Sequence, residues 1–320
     1  MNDIAVVGAG AWGTALAIQA ARAGRDTLLW ARNPATATAI EQTRLNPRLP
    51  GHRLSGRIRV TAHLPTGARA ILLAVPMQHL RNVLRYLPET DAPLIVCAKG
   101  VEVGTLRLPL EILAELRPQN AAAVLTGPNF AHEVAEGMPA AATIAGPDAT
   151  VRDRIDTLLA TPSFRLYGND DAIGAQIGGA AKNVIAIAAG AVIGAGLGEN
   201  ARAALITRSL AELGRLTMAL GGRTETVMGL SGLGDLLLTC TGPSSRNFSL
   251  GLALGRGESL ADILAARETV TEGVTTAPAL VARAAGVDMP ICTAVATLLA
   301  GRTTLPQAIA DLLARPRRDE

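Results

Sequence analysis

Two lysines, Lys99 and Lys182, stand among the chain's 30 basic residues, and the rest are arginine. Arginine keeps its charge at any accessible pH, whereas a lysine in a desolvated setting can shift its pKa and exchange a proton. Lys182 is the only charge in the run "GGAAKNVIAIAAGAVIGAGLG" (178–198). Position 182 therefore suggests proton-exchange chemistry, which the rest of the chain must specify. Lys99 lies in "IVCAKGVE" (95–102), just past the carboxyl end of an expected parallel strand, where open α/β sheets hold ligands.

Three further stretches mix glycine with polar side chains in apolar surroundings. "LTGPNFAHEVAEG" (125–137) runs through Gly127 and Asn129 into a helix start at Ala131 and presents free backbone N–H groups. "LSGLGDLLLTCTGPSSRNFSLG" (230–251) carries Asp235, Ser245, Arg246 and Asn247, and "TVTEGVTTAP" (269–278) carries Val270 and Glu272. A hydroxyl, a guanidinium fork and an amide in the order Ser-Arg-Asn suit a phosphate, whose oxygens they can satisfy together. Asp235 follows Gly234 and also reads as a helix N-cap, which is compatible with a site role.

These residues need a frame. Strand readings fall at Ile4–Val7, Thr27–Trp30, Ala70–Val75, Leu94–Ala98, Ala122–Leu125, Ala141–Ala145 and Phe164–Tyr167. Helical spacing separates several of them, over Gly13–Ala23, Met77–Leu87, Leu108–Leu116 and Ala149–Leu159. That alternation predicts parallel pairing in a doubly wound sheet. Beyond about residue 170 the strand signal fades into alanine- and leucine-rich helical pattern, broken at Gly221–Gly222, Gly242–Pro243 and Met289–Pro290. The expected architecture is an α/β, Rossmann-type domain over 1–170 followed by an all-helical domain over 171–320. The longest loop, Asn46–Arg57, is rich in Gly, Pro and Arg.

"VVGAGAWGTALA" places Gly8, Gly10 and Gly13 in G-x-G-x-x-G spacing, after a strand and opening a helix at Ala11–Trp12. The first glycine makes the tight turn, the second admits a pyrophosphate, and the third lets helix and strand approach. Arg32 ends the second strand, 19 residues past Gly13, where NAD-specific sites place an acid for the ribose hydroxyls. A basic residue there suits a 2′-phosphate, so NADP(H) is favoured over NAD(H).

Composition narrows the classes. A net charge of +3 gives nucleic-acid binding little support. Cys97, Cys240 and Cys292 are odd in number and scattered, which reads as reduced thiols rather than a disulfide framework. His52, His63, His79 and His132 share no ligand spacing, so no metal is expected. Val184–Leu197 is 14 consecutive apolar residues, short of the ~18 that read as a membrane span, and predicts a buried helix. The chain enters its first strand with no basic leader, and a cytoplasmic location is expected.

Taken together, "GAGAWGTALA", "CAKGVE", "LTGPNFAHEVA", "GGAAKNVIAIAAG", "GLSGLGDLLLTCTGPSSRN" and "VTEGVTTAP" resemble the bacterial NAD(P)-dependent glycerol-3-phosphate dehydrogenases nearly end to end. The glycine fingerprint is common to many dehydrogenases, whereas "AAKNVIAIAAG" with "GDLLLTC…SRN" is particular to this family. The resemblance implies interconversion of dihydroxyacetone phosphate and sn-glycerol 3-phosphate, feeding phospholipid synthesis, by a homodimer. It implies Lys182 as the proton donor and acceptor. Substrate contacts would come from Lys99, Gly127, Asn129, Asp235, Ser245, Arg246 and Asn247. Trp12, Arg32, Lys99, Ala131, Arg246, Val270 and Glu272 would line the cofactor with the glycine turn. Asn129 stands where the family often has a small hydroxyl residue. The competing reading is a related two-domain NAD(P)-dependent dehydrogenase of another small hydroxy acid, whose carboxylate would not call for the Ser245–Arg246–Asn247 grip.

Overall fold

The computed structural model describes residues 2–267 and 271–316. They divide into two compact units, residues 1–99 with 108–176 and residues 100–107 with 177–320.

The first unit is an eight-stranded sheet in the order β3-β2-β1-β4-β5-β6-β7-β8. Its strands are β1 (Asn2–Val7), β2 (Thr27–Trp30), β3 (Ile58–Thr61), β4 (Ala68–Leu73), β5 (Leu94–Val96), β6 (Ala122–Thr126), β7 (Ala140–Ala145) and β8 (Phe164–Asn169). Its helices are α1 (Ala11–Arg22), α2 (Pro34–Thr43), α3 (Met77–Tyr86), α4 (Pro109–Leu116), α5 (Ala131–Glu136) and α6 (Ala149–Leu159). The central strands are apolar along their length because both faces are covered. Ile4, Ala5, Val6 and Val7 are all fully buried, and alternate residues enter two different core clusters.

The expected all-parallel pairing fails at one place: β7 runs antiparallel to β6. The intervening α5 does not cross the sheet. It packs on α1, where Arg22 donates to the carbonyls of Val134 and Ala135 at 2.9 and 2.5 Å. A strand that starts at the edge where its predecessor ended must run back antiparallel. Two elements also go beyond the sequence reading. The helix α2 begins at Pro34 behind an Asn33 cap, whose Oδ1 accepts from Thr36 N at 3.1 Å. The short edge strand β3 directly follows the expected long loop, with Ile58 and Val60 buried and Arg59 exposed.

The second unit is helical: α7 (Ala172–Gly194, divided between the units at 176/177), α8 (Gly198–Ala219), α9 (Thr224–Val227), a π-turn at Leu230–Gly234, α10 (Asp235–Cys240), α11 (Arg246–Gly255), α12 (Leu260–Ala265), α13 (Glu272–Arg283), α14 (Pro290–Leu299) and α15 (Leu305–Leu313). Among the described residues, α7 alone is long and apolar enough to cross a membrane, and most of it is buried inside the protein, so it is a core helix.

One buried carboxylate ties α8 to α14. Glu212, 1% exposed, accepts from the backbone N–H groups of Ile291 at 2.6 Å and Cys292 at 3.2 Å, satisfying donors that the first turn of α14 leaves open. Burial raises the Glu212 pKa above the ordinary carboxyl value, with the two N–H groups opposing it. The folded chain thus holds the Glu212 proton more tightly than the unfolded chain. The resulting stabilisation is complete below the ordinary carboxyl pKa and is lost as pH rises through the raised one. Glu212→Gln cannot titrate, so the melting temperature of wild type minus that of the variant should fall by a few degrees as pH rises through this window. A difference independent of pH, read by calorimetry, would contradict the burial argument.

Candidate active site

In the first unit the predicted residues gather at the carboxyl ends of the strands. Gly8 follows β1, Arg32 follows β2, Lys99 follows β5 and Gly127 follows β6. The glycine turn has the shape a dinucleotide requires. Gly8 has φ +120°, and a Cβ there would lie 2.5 Å from the Ala74 carbonyl oxygen. A side chain on Gly13 would overlap the Gly8 carbonyl oxygen, whereas one on Gly10 would meet nothing within 4 Å. The turn is thus closed towards the protein and open at Gly10, and it leads into the N-terminus of α1, which attracts anions. A nicotinamide dinucleotide fits this cradle. Ala11 and Trp12 open α1 and pack half-buried on the core below it. Arg32 is exposed.

Lys99, half-buried, donates to the Gly127 carbonyl at 3.2 Å, joining the edges of β5 and β6. Asn129 donates from Nδ2 to the Ala141 carbonyl at 2.9 Å, while its Oδ1 is buried with no partner among the described residues. A buried acceptor of this kind is costly unless something donates to it. Ala131 is the first residue of α5. His132 stacks on Phe130 at a ring separation of 5.8 Å, with more than half of its side chain exposed.

The second unit assembles the other set around α7. The backbone at Ser231, in the π-turn, lies against Gly178, where no side chain would fit. One helical turn further along α7, Lys182 Nζ meets Asp235 Oδ1 at 2.5 Å, with the aspartate side chain fully buried and the lysine's 13% exposed. Asp235 is the first helical residue of α10 and Gly234 its N-cap, so the capping reading of Asp235 is replaced by an ion pair with Lys182. Thr239, one turn on, donates to the Asp235 carbonyl at 2.6 Å and also lies 3.5 Å from Oδ1.

Ser245 caps α11, its Oγ accepting from Phe248 N at 3.2 Å, and Arg246 is exposed beside it. Arg267 donates to the Arg246 carbonyl at 2.8 Å. Burial first, and the Arg246 charge second, hold the Arg267 guanidinium below its usual pKa. Two cations thus share the start of α11. The Asn247 carboxamide is engaged at both ends, donating to Asn183 Oδ1 at 2.9 Å and accepting from Gly273 N at 3.0 Å. Its side chain ties α7, α11 and α13 together, and Glu272 opens α13 next to Gly273. Val270 lies outside the described residues.

Two polar residues escaped the sequence reading. Asn183 holds Asn247, and its signal was an amide inside an otherwise apolar helix. Thr239 braces Asp235, and its signal was a hydroxyl four residues past the acid. Burial pushes the Cys97 and Cys240 thiols up to about 12, so neither is a nucleophile here, and all three cysteines are free. Among the described residues no cluster of three His, Cys, Asp or Glu could hold a metal.

A cradle that fits a nicotinamide dinucleotide in one unit and a buried lysine–aspartate pair in the other suit the class of NAD(P)-dependent dehydrogenases. Family models narrow this further. The N-terminal model of NAD-dependent glycerol-3-phosphate dehydrogenase matches residues 3–152, and the C-terminal model matches 171–310. The chain is 53% identical over 318 residues to glycerol-3-phosphate dehydrogenase [NAD(P)+] of Gluconobacter oxydans, covering 98% of this chain and 97% of that protein. A Bradyrhizobium relative of the same name is also 53% identical, over 326 residues, covering 100% and 98%. The crystal structure of glycerol-3-phosphate dehydrogenase from Coxiella burnetii superposes with a TM-score of 0.93 at 37% identity, covering 98% of each chain. The chain belongs to the NAD-dependent glycerol-3-phosphate dehydrogenase family. It is an NAD(P)-dependent oxidoreductase that interconverts dihydroxyacetone phosphate and glycerol 3-phosphate.

Proposed function

We propose that Lys182 is the proton donor and acceptor of this reaction. The observation that carries the reading is the buried Lys182–Asp235 pair at 2.5 Å. When bound, the nicotinamide supplies or takes the hydride. A ketone oxygen that gains negative charge must be protonated, and Lys182 Nζ has protons to give while Asp235 fixes its position. In the reverse direction Lys182 takes the hydroxyl proton.

The substrate phosphate is read as the ligand of Ser245 and Arg246 at the N-terminus of α11, where free N–H groups and the helix dipole favour an anion. The backbone N–H of Asn247 adds to this, while its side chain holds the segment in place. A substrate hydroxyl donating to Asn129 Oδ1 would satisfy that buried acceptor, and Lys99 and Gly127 are read as further substrate contacts. The residues that would hold the cofactor are the turn Gly8–Gly13 with Ala11 and Trp12, together with Arg32, Lys99, Ala131, Arg246, Val270 and Glu272. The reading extends to a cytoplasmic homodimer that supplies glycerol 3-phosphate for phospholipid synthesis. Large apolar side chains exposed on the helical unit, among them Met218, Met228 and Leu237, suit a homodimer, and light scattering would read twice the 32.9 kDa chain mass.

The test is loss of reduced-nicotinamide absorbance with dihydroxyacetone phosphate, run with NADPH and NADH separately on wild type and Arg32→Ala. Wild type should oxidise NADPH. Removing Arg32 should raise the KM for NADPH by roughly ten- to a hundredfold, the worth of a hydrogen bond to a charged group, and leave NADH nearly unchanged. Equal effects on both cofactors would remove the 2′-phosphate from the account of Arg32.

A further inference from the structure

The loop between α2 and β3 is pinned to the glycine turn by one buried amide. Asn46 is 2% exposed, and its Nδ2 donates to the Ala9 carbonyl at 3.1 Å and to Thr14 Oγ1 at 2.7 Å. Ala9 lies between Gly8 and Gly10, and Thr14 lies in the first turn of α1. The other end of the same amide accepts from the Arg48 backbone N–H at 3.0 Å, and Leu49 N closes on the Asn46 carbonyl at 2.9 Å. Leu49 and Leu54 then enter the core cluster that also contains Ala15 and Leu16 of α1. Pro47 and Pro50 flank Arg48 and Leu49 and restrict φ on either side.

This arrangement fixes the Arg48 backbone one side chain away from the turn. The Arg48 side chain is exposed, and no ion pair or side-chain hydrogen bond engages it among the described residues. Two neighbouring arginines are committed elsewhere: Arg44 to the Ser55 and Ile58 carbonyls and Glu41, and Arg57 to Asp26. The turn itself offers only backbone N–H groups and a helix dipole, since α1 carries no side-chain cap. A pyrophosphate bears two full negative charges, and a guanidinium fork answers them better than partial charges alone.

We propose that Arg48 is a cofactor-binding residue that contacts the pyrophosphate of NAD(P)H, with Asn46 as its positioning residue. This rests on the assignment of the glycine turn as the dinucleotide site. It separates two arginine roles. Arg32, at the end of β2, reads the 2′-phosphate and discriminates between the cofactors. Arg48, anchored at the pyrophosphate turn, serves NADPH and NADH alike.

The test is the equilibrium Kd of NADPH and of NADH, read by nicotinamide fluorescence for wild type, Arg48→Ala, Arg48→Lys, Asn46→Ala and the Asn46→Ala/Arg48→Ala pair. Arg48→Ala should weaken both cofactors equally, by about tenfold, and flatten the salt dependence of binding. Arg48→Lys should recover part of the loss. Asn46→Ala should reproduce the loss for both cofactors, and the double variant should add little to either single one. Unchanged affinity for both cofactors in Arg48→Ala overturns the proposal, as does a loss confined to NADPH, which would move Arg48 to the 2′-phosphate. A wild-type chain that binds neither cofactor overturns the dinucleotide assignment beneath it.

Discussion

Lys182→Ala should lower kcat for dihydroxyacetone phosphate reduction by about 10³-fold, within the 10²–10⁴ that a positioned general acid contributes, and leave the Kd for NADPH unchanged. The expectation follows from what the position holds. Nζ is paired at 2.5 Å with a carboxylate that is itself fully buried, so the ammonium is fixed in one place rather than sweeping through solvent. Thr239 lies 3.5 Å from the same Oδ1, and the π-turn carrying Ser231 is seated on Gly178 one turn away on α7. Three elements therefore set the position of one proton.

Alanine also removes the ammonium partner of the buried Asp235 carboxylate, and breaking a buried pair from one side costs about 3–5 kcal/mol. Lost activity in Lys182→Ala could thus reflect a loosened helical unit, and a second variant separates the two effects. Lys182→Arg keeps a cation beside Asp235 but holds its proton at any accessible pH. Its melting temperature should stay near wild type while its kcat falls nearly as far as that of alanine. An arginine variant within about tenfold of wild-type kcat would mean that position 182 supplies charge only, and the proton would then come from elsewhere.

Much of this site was legible in the residues themselves. The scarcity of lysine singled out positions 99 and 182, and the G-x-G-x-x-G spacing located the dinucleotide turn, because both signals are local. What the sequence left open depends on pairings between distant segments. The reversal of β7 follows from α5 docking on α1 through Arg22, a contact spanning more than a hundred residues. Asp235 after Gly234 also offers a cap, and only the fold brings Lys182, 53 positions earlier, to its carboxylate at 2.5 Å. Asn247 reads as a phosphate ligand from its neighbours Ser245 and Arg246, and only the fold shows that its amide also bridges Asn183 and Gly273. The loop 46–57 was legible as a loop, but nothing local shows Asn46 reaching Ala9. The glycines of α7 announced close packing without naming a partner.

That partner is α11, and the crossing yields the second large expectation, which concerns stability. Gly190 and Gly194 of α7 face Gly251 and Gly255 of α11, each pair four residues apart. A Cβ on Gly190 would overlap the Phe248 carbonyl, one on Gly194 the Leu252 carbonyl, one on Gly251 the Ile187 carbonyl and one on Gly255 the Ala191 carbonyl. The obstacle in all four cases is backbone, which cannot swing aside as a side chain can. Gly251→Ala must therefore push the helices apart, at a cost of about 3 kcal/mol or more, the upper end of overpacking effects. At roughly 2–4 °C per kcal/mol, the melting temperature should fall by about 6–12 °C. Gly242→Ala is the control, since a Cβ there meets nothing within 4 Å, and it should stay within about 0.5 kcal/mol of wild type. The crossing also links packing to function. Lys182 and Asn183 lie on α7, while Ser245, Arg246 and Asn247 stand at the start of α11. Separating the helices strains the Asn183–Asn247 bond and shifts Arg246, so any folded Gly251→Ala protein should show a raised KM for dihydroxyacetone phosphate. A variant that melts like wild type would show that α7 and α11 do not cross at these glycines, and the account of how Arg246 is positioned would fall with it.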